Sequence, residues 1–319
     1  MMIDLIIPCY NAYSTIERTL CSVYVQTMCK DIHIILVDDN SEKPYDYLKE
    51  KYNNLDIEIL RLEKNCGPGR TRRVGMQKGT NKYIMFMDAD DTFTNSFAVR
   101  RLYDFIKDNE YDCVTSNFLE DLGNGKFIKH EQDSIWVFGK IYKREFLEKN
   151  SIYFNDTRAN EDTGFNTVCF FAGNWGYLND NTYIWHYKED SITRRDGGIY
   201  RFTGIKGYLD NMEWAVQEIR RIGVPKNELD RLKCNVFIAT YFFYLDLERW
   251  GDKRVNYKEF MEWVYGYYKR VFAKEQIEEK IFLEAYEEVA KSKMSIFSKP
   301  IPLTIKQFED VVANKLFAK

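Results

Sequence analysis

Short apolar runs alternate with helically spaced stretches through the first third of the chain. Ile3 to Ile7 is an apolar run stopped by Pro8, with a turn at Cys9-Tyr10-Asn11. Ile16, Leu20, Val23 and Thr27 fall at helical spacing, and Ser14 with Glu17 makes a Ser-x-x-Glu capping box, predicting a helix over 15–28. Ile32 to Val37 and Ile57 to Leu62 read as buried strands on either side of a helix over Tyr45 to Tyr52. A further helix opens after Asn65 and runs to about Lys78, and Tyr83 to Met87 is another apolar strand. Strands apolar on both faces, separated by helices, predict an α/β fold with a parallel sheet and right-handed crossovers.

The rhythm then changes twice. A helix to about residue 108 leads to a strand at Cys113 to Phe118, and Asn124-Gly125 is a hairpin signal that turns the sheet antiparallel. Apolar segments at Ser134 to Phe138 and Ile152 to Phe154 flank a short helix over Arg144 to Lys149. A helix over Thr163 to Phe171 and strands at Trp175 to Leu178 and Tyr183 to Tyr187 follow, with His186 in the second strand. Residues 188–200 are polar, contain Arg194, Arg195 and Gly197-Gly198, and read as a mobile loop and domain boundary, dividing the chain into 1–198 and 199–319. Beyond it the spacing is helical throughout, with helices predicted near 201–222, 227–249, 256–272, 275–291 and 304–317. The aromatic residues of that region, among them Tyr241, Phe242, Tyr244 and Trp263, read as core rather than as a stacking platform.

Composition narrows the choices. The 319 residues are long enough for one large domain or two modest ones. Forty-six basic against 49 acidic residues leave a formal charge of −3, which gives no polycation for nucleic acid. Seven scattered cysteines form neither a disulfide framework nor a zinc pattern, which points to a reducing cytoplasm. Leu5-Ile6-Ile7 is a strand rather than a signal peptide, and Val236 to Leu247 is too short to span a bilayer, so no transmembrane segment is predicted.

Two stretches carry chemistry. Tyr83 to Asp91 runs an apolar strand into three carboxylates, Asp88, Asp90 and Asp91, at the strand end where open α/β sheets bind ligands. Carboxylates so crowded repel unless a cation or hydrogen-bond donors offset them, and Mg²⁺ or Mn²⁺ sharing a substrate's phosphates fits. The alternative is an acidic turn in which Asp91 caps a helix over Thr92 to Asp108. Asn65 to Gly75 places Gly67, Gly69, Arg70, Arg72 and Arg73 at a helix start, a place that attracts anions, or an ordinary basic helix start facing water. The stretch is no Walker A loop, and the first strand lacks a Gly-x-Gly-x-x-Gly turn.

Taken in order, these signals resemble the family 2 glycosyltransferases of the GT-A fold over residues 1–195. The resemblance rests on Ile3 to Tyr24 with Pro8, Tyr10, Asn11 and Ser22, closed by Gln26-Thr27, and on Val37 to Ser41. It continues with Asn65-x-Gly67 through Arg72 to Gly75, the Asp-x-Asp strand end, and the Glu161-Asp162 pair. Thr71 and Arg73 depart from the family's Ala and Asn. The resemblance implies a Rossmann-like mixed sheet flanked by helices, followed here by a mainly α-helical C-terminal region that it does not cover. It implies an inverting transfer of sugar from a nucleotide-sugar donor, UDP-linked, to an acceptor hydroxyl. Pro8, Tyr10, Asn11, Asp39 and Gly67 would hold the nucleotide, with Arg72, Asp88 and Ala89 at the diphosphate, ribose or sugar. Asp90, with Asp88 and His186, would take Mn²⁺ or Mg²⁺, although His186 packed between Trp185 and Tyr187 is an equal reading. Asp162 would be the base and Glu161 would orient it, while Arg194 and Arg195 would close over the diphosphate or stay solvated. The implied acceptor is a glycan, protein, lipid-linked sugar or modified base. The helical region would shape that acceptor site, pair copies of the chain or touch a membrane surface. A nucleotidyltransferase on a related sheet and a nucleotide-sugar-binding scaffold without turnover are the competing readings.

Overall fold

The computed structural model describes residues 1–189, 200–250, 253–273, 276–291 and 304–317. Two compact units divide the chain, Met1–Glu189 and Asp190–Lys319. The predicted loop with Arg194, Arg195 and Gly197-Gly198 lies outside the described residues.

The first unit is one nine-stranded sheet with helices packed on it. Its parallel half joins β1 (Ile3–Cys9), β2 (Ile32–Asp38), β3 (Asp56–Arg61) and β4 (Tyr83–Phe86) in the order β3-β2-β1-β4. Ile3, Leu5, Ile7, Ile34 and Leu36 are buried in one hydrophobic core cluster, while Ile6 is buried on the other face, as a strand covered on both sides requires. The crossovers are α1 (Ile16–Tyr24), α2 (Tyr47–Lys51) and α3 (Pro68–Lys78). Gly75 lets α3 lie directly on β1, since a Cβ there would stand 2.5 Å from Ile6 Cγ2.

From β4 the sheet turns mixed. β5 (Thr92–Phe93), β6 (Cys113–Asp121), β7 (Phe127–His130), β8 (Lys140–Lys143) and β9 (Trp175–Trp185) continue it in the order β4-β8-β6-β9-β5, with β7 on β6. β8 runs antiparallel to both β4 and β6, and the β6–β7 hairpin turns at the Asn124-Gly125 signal. Its helices are α4 (Ala98–Lys107), α5 (Arg144–Lys149) and α6 (Glu161–Ala172).

Several local expectations are corrected. The Ser14–Glu17 capping box does not form: Thr15 is the N-cap without a side-chain bond, and the Thr15 and Ile16 N–H groups donate to Ala12 O instead. α1 ends at Tyr24 rather than 28, because the Gln26 side chain donates to Ser22 O and Asn95 O and Thr27 N–H donates to Ser96 O. Asp91 caps no helix over Thr92 to Asp108; the chain leaves it as β5, pairs with β9 and becomes helical only at Ala98. The two strands expected between Trp175 and Tyr187 are one strand whose register shifts opposite Asn117, so a polar bulge interrupts the apolar pattern without ending it. His186 lies just past that strand. The apolar segments Ser134–Phe138 and Ile152–Phe154 are turns and irregular chain.

The second unit is helical among its described residues. It comprises α7 (Tyr200–Ile222), α8 (Lys226–Trp250), α9 (Tyr257–Tyr267), α10 (Glu279–Lys291) and α11 (Ile305–Phe317). α9 runs into a π-helical turn, Tyr268–Phe272. Phe237, Phe272, Phe282, Tyr286 and Phe308 form its aromatic core, and Tyr241, Phe242 and Tyr244 are buried with them as read from the sequence, whereas Trp263 is only half-buried. No helix among the described residues is long and apolar enough to cross a membrane.

Candidate active site

The carboxyl ends of the parallel strands carry the acidic groups. At the end of β2, Asp38 is buried, accepting from Arg61 at 2.7 Å and from Ser41 N–H at 2.8 Å. Asn11 and Asn40 adopt left-handed backbone (φ 50° and 61°), turning the chain sharply after β1 and β2. Asn11 Oδ1 accepts from Glu42 N–H and Asn11 N–H donates to Ser41 Oγ, each at 2.9 Å, which holds the two turns together. Pro8 is half-buried and Tyr10 is exposed beside these turns.

Asp39 stands next in line. Its two carboxylate oxygens accept from Cys66 N–H (2.7 Å) and Gly67 N–H (2.8 Å), so Asp39 fixes the loop that opens α3. Burial raises its pKa, and those same N–H groups oppose the rise. Gly67, at φ 89°, precedes the helix, and Arg158 clasps the loop from outside through Asn65 Oδ1 and O at 2.8 and 2.9 Å.

Arg72, one turn into α3, points inward and is buried. Its guanidinium binds Glu161 through one terminal nitrogen and Asp88 through the other, at 2.7 Å for Asp88, tying the β4 end to the start of α6. Its Nε is buried without a hydrogen-bond partner. The carboxylates of Asp88 and Glu161 hold Arg72 charged against the opposing effect of burial. Asp162, next to Glu161, is buried as well, and burial with the adjacent Glu161 charge pushes its pKa up to about 7 while Arg72 pulls it down.

The Asp88-Ala89-Asp90-Asp91 turn contains two kinds of carboxylate. Asp88 and Asp90 remain about one-third exposed, whereas Asp91 is buried. Asp91 accepts from Tyr183 O–H and His186 N–H, both at 2.8 Å, and Tyr183 in turn receives Asp88 N–H at 3.1 Å. Asp91 is therefore the brace of the turn, its pKa raised well above the ordinary value by burial and then by Asp88 and Asp90. Asp90 Oδ2 faces Lys188 Nζ at 3.3 Å, and its backbone carbonyl accepts from Arg18 at 2.5 Å. The His186 ring sits with Nε2 2.8 Å from Thr92 Oγ1 and Nδ1 3.7 Å from the Asp121 carboxylate, its pKa lowered by burial and by Arg18.

Among the described residues no group of three or more His, Cys, Asp or Glu is placed to hold a metal by itself. Two open carboxylates suit a hard divalent ion that takes its remaining oxygens from a diphosphate and water, and a cationic side chain already faces each of them, Arg72 at Asp88 and Lys188 at Asp90. That donor set fits Mg²⁺ or Mn²⁺.

The structure thus brings Asp39, Gly67, Arg72, Asp88, Ala89, Asp90, Glu161 and Asp162 to one end of the sheet. Sequence reasoning missed Tyr183, Lys188, Arg18 and Arg158, which reach the site from distant segments with no local pattern to announce them.

A model of glycosyl transferase family 2 matches residues 4–179. The chain belongs to that family. The family match spans every residue singled out at the site except Tyr183, His186 and Lys188. A poly(ribitol-phosphate) beta-glucosyltransferase of Bacillus spizizenii is 34% identical over 82% of this chain and 44% of its own length. The Staphylococcus aureus TarS 1-349 structure in complex with UDP-GlcNAc superposes with a TM-score of 0.66 at 20% identity, covering 99% of this chain and 90% of that one. The mannosyltransferase PcManGT from Pyrobaculum calidifontis, in complex with GDP-Man and Mn²⁺, gives 0.55 at 14% identity, over 99% and 87%. These likenesses establish the GT-A fold of the family. The chain spans less than two thirds of the length of the first curated relatives it matches.

Proposed function

We propose that the chain transfers a sugar from a UDP-sugar to an acceptor hydroxyl with inversion at the anomeric carbon. The observation that carries this reading is the Arg72 bridge, which sets a buried Asp162 beside the carboxylates of the Asp-x-Asp turn. The UDP assignment draws on TarS, whose structure was determined in complex with UDP-GlcNAc.

Pro8, Tyr10, Asn11 and the Asp39–Gly67 contact form the nucleoside platform, with Asp39 acting also by holding its own loop in shape. Asp88 and Asp90 would hold Mg²⁺ or Mn²⁺, and His186 would join them only after leaving Thr92. A bound divalent ion supplies Lewis-acid neutralisation of charge on the departing diphosphate. Arg72 adds positive charge from a buried position where the leaving group develops its negative charge. Lys188 and Arg18 contribute further positive charge around Asp90.

An acceptor hydroxyl is a weak nucleophile near neutral pH, so a carboxylate must take its proton as the new bond forms. Asp162 meets that need: its raised pKa makes it a stronger base than an ordinary carboxylate while leaving it largely ionised above about pH 7. Glu161, held by Arg72, fixes the backbone from which Asp162 projects. Direct attack by the acceptor on the face opposite the diphosphate inverts the sugar carbon.

UDP release from a panel of UDP-sugars, with and without EDTA, tests the proposal. Turnover of at least one donor that EDTA abolishes and Mn²⁺ or Mg²⁺ restores is expected. Tight UDP binding with no release from any donor in the presence of acceptor would instead favour a binding scaffold.

A further inference from the structure

The helical unit carries a cavity of about 390 Å³ that lies outside the residues matched by the family model. It is lined by Lys206, Asp210 and Glu213 of α7, Glu262 and Trp263 of α9, and Arg270 of the π-helical turn. Trp263 is half-buried and stacked on Phe202, with ring centroids 5.3 Å apart, so its plane is fixed. The cations Lys206 and Arg270 are paired, although both are more than half exposed. Lys206 Nζ lies 2.7 Å from Asp210 Oδ2, and Arg270 Nε donates to both Glu213 oxygens at 2.8 and 3.1 Å. A π turn is a rare insertion that concentrates at functional sites, and here it directs Arg270 to the wall. Gly266, one turn earlier, leaves room for that guanidinium, since a Cβ there would stand 3.0 Å from Arg270 Nη1.

Two groups on the wall are unspent. Among the described residues, no hydrogen bond or ion pair engages the Glu262 carboxylate or the Trp263 indole N–H. A rigid indole flanked by an acceptor, a donor and oriented ion pairs matches the surface of a sugar ring, which has apolar C–H faces and a rim of hydroxyls. The wall holds three carboxylates and two cations, both cations already paired, which disfavours a phosphodiester and favours a neutral ligand.

We infer that this cavity is a saccharide-binding site of the helical unit, separate from the catalytic residues and selective for neutral pyranosides. It rests on the proposed transferase activity only for its use: a second grip on a glycan raises the effective concentration of that acceptor. The test reads binding without turnover, so it stands or falls independently of UDP release. Methyl β-D-glucopyranoside is titrated into the full chain and followed by saturation-transfer-difference NMR, with and without saturating UDP. Saturable binding that UDP leaves unchanged is expected, weakened tenfold or more by both Trp263→Ala and Glu262→Ala, with sn-glycerol 3-phosphate bound at least tenfold more weakly. Glu262 is exposed and unpaired among the described residues, so its variant keeps the fold even where loss of Trp263 disturbs Phe202. Binding unchanged within twofold in Glu262→Ala, competition by UDP, or tighter binding of glycerol phosphate would overturn the assignment.

Discussion

Arg72 shows how one side chain can tie three elements of a candidate site together and cost stability when removed. It satisfies two carboxylates on different elements, and both it and Glu161 are only 6% exposed. Truncating one partner of a buried pair leaves an uncompensated charge, which costs about 3–5 kcal/mol. Arg72→Ala should therefore lower the urea midpoint by a comparable loss, and Arg72→Lys, which cannot fork between two acids, should fall between. An Arg72→Ala protein as stable as wild type would remove the bridge from the account. This residue was legible only in part. Its place at a helix start beside glycines announced an anion-binding position, but no spacing linked residue 72 to residues 88 and 161. Asp39 was legible for a similar reason, as an acid at a strand end. That its oxygens are taken by Cys66 and Gly67 N–H depends on a loop packed from 27 and 28 residues away.

At the scale of elements, the parallel strands were readable because β1, β2 and β4 are buried on both faces and so leave uninterrupted apolar runs. Elements whose burial depends on a distant partner were not. β8 begins with Lys140, which reads as surface, yet Lys140 is 1% exposed and lies 3.4 Å from Asp133, its pKa lowered to about 8 by burial. The capping box at Ser14 failed because Ala12 O captured the first helical N–H groups, a local competition that the four-residue signature does not encode. The close approach of α3 to β1 yields a prediction. Gly75→Ala puts a methyl group 2.5 Å from Ile6 Cγ2, so the helix must shift or Ile6 must move, and overpacking of this kind costs about 1–3 kcal/mol. Thermal unfolding should show the drop, together with weaker UDP binding, because α3 carries Gly67 and Arg72 at its start. A Gly75→Ala protein of unchanged melting temperature would mean that α3 stands further from the sheet.

At the scale of the whole molecule, one buried hydrophobic cluster of the first unit is built, among the described residues, from positions between Ile3 and Trp185. A fragment ending at Glu189 should accordingly unfold cooperatively in urea and keep UDP binding. A fragment that is expressed only as a molten, dye-binding species would show that the helical unit is needed for the sheet to pack. The change from alternating to purely helical spacing set residues 199–319 apart in the sequence, and the compact units divide at Glu189 and Asp190, whereas nothing in that pattern specifies a ligand. The proposed transfer depends on Asp162 as its base, and the pH dependence of kcat/KM tests that role most directly. Asp162 holds its proton below about pH 7 and so cannot accept another, which predicts a wild-type rate that climbs with pH through that value and then levels. Asp162→Asn should bind UDP as wild type does while losing about 10²–10⁴-fold in transfer and the pH limb with it. Transfer by Asp162→Asn at the wild-type rate, with the same limb, would contradict the account.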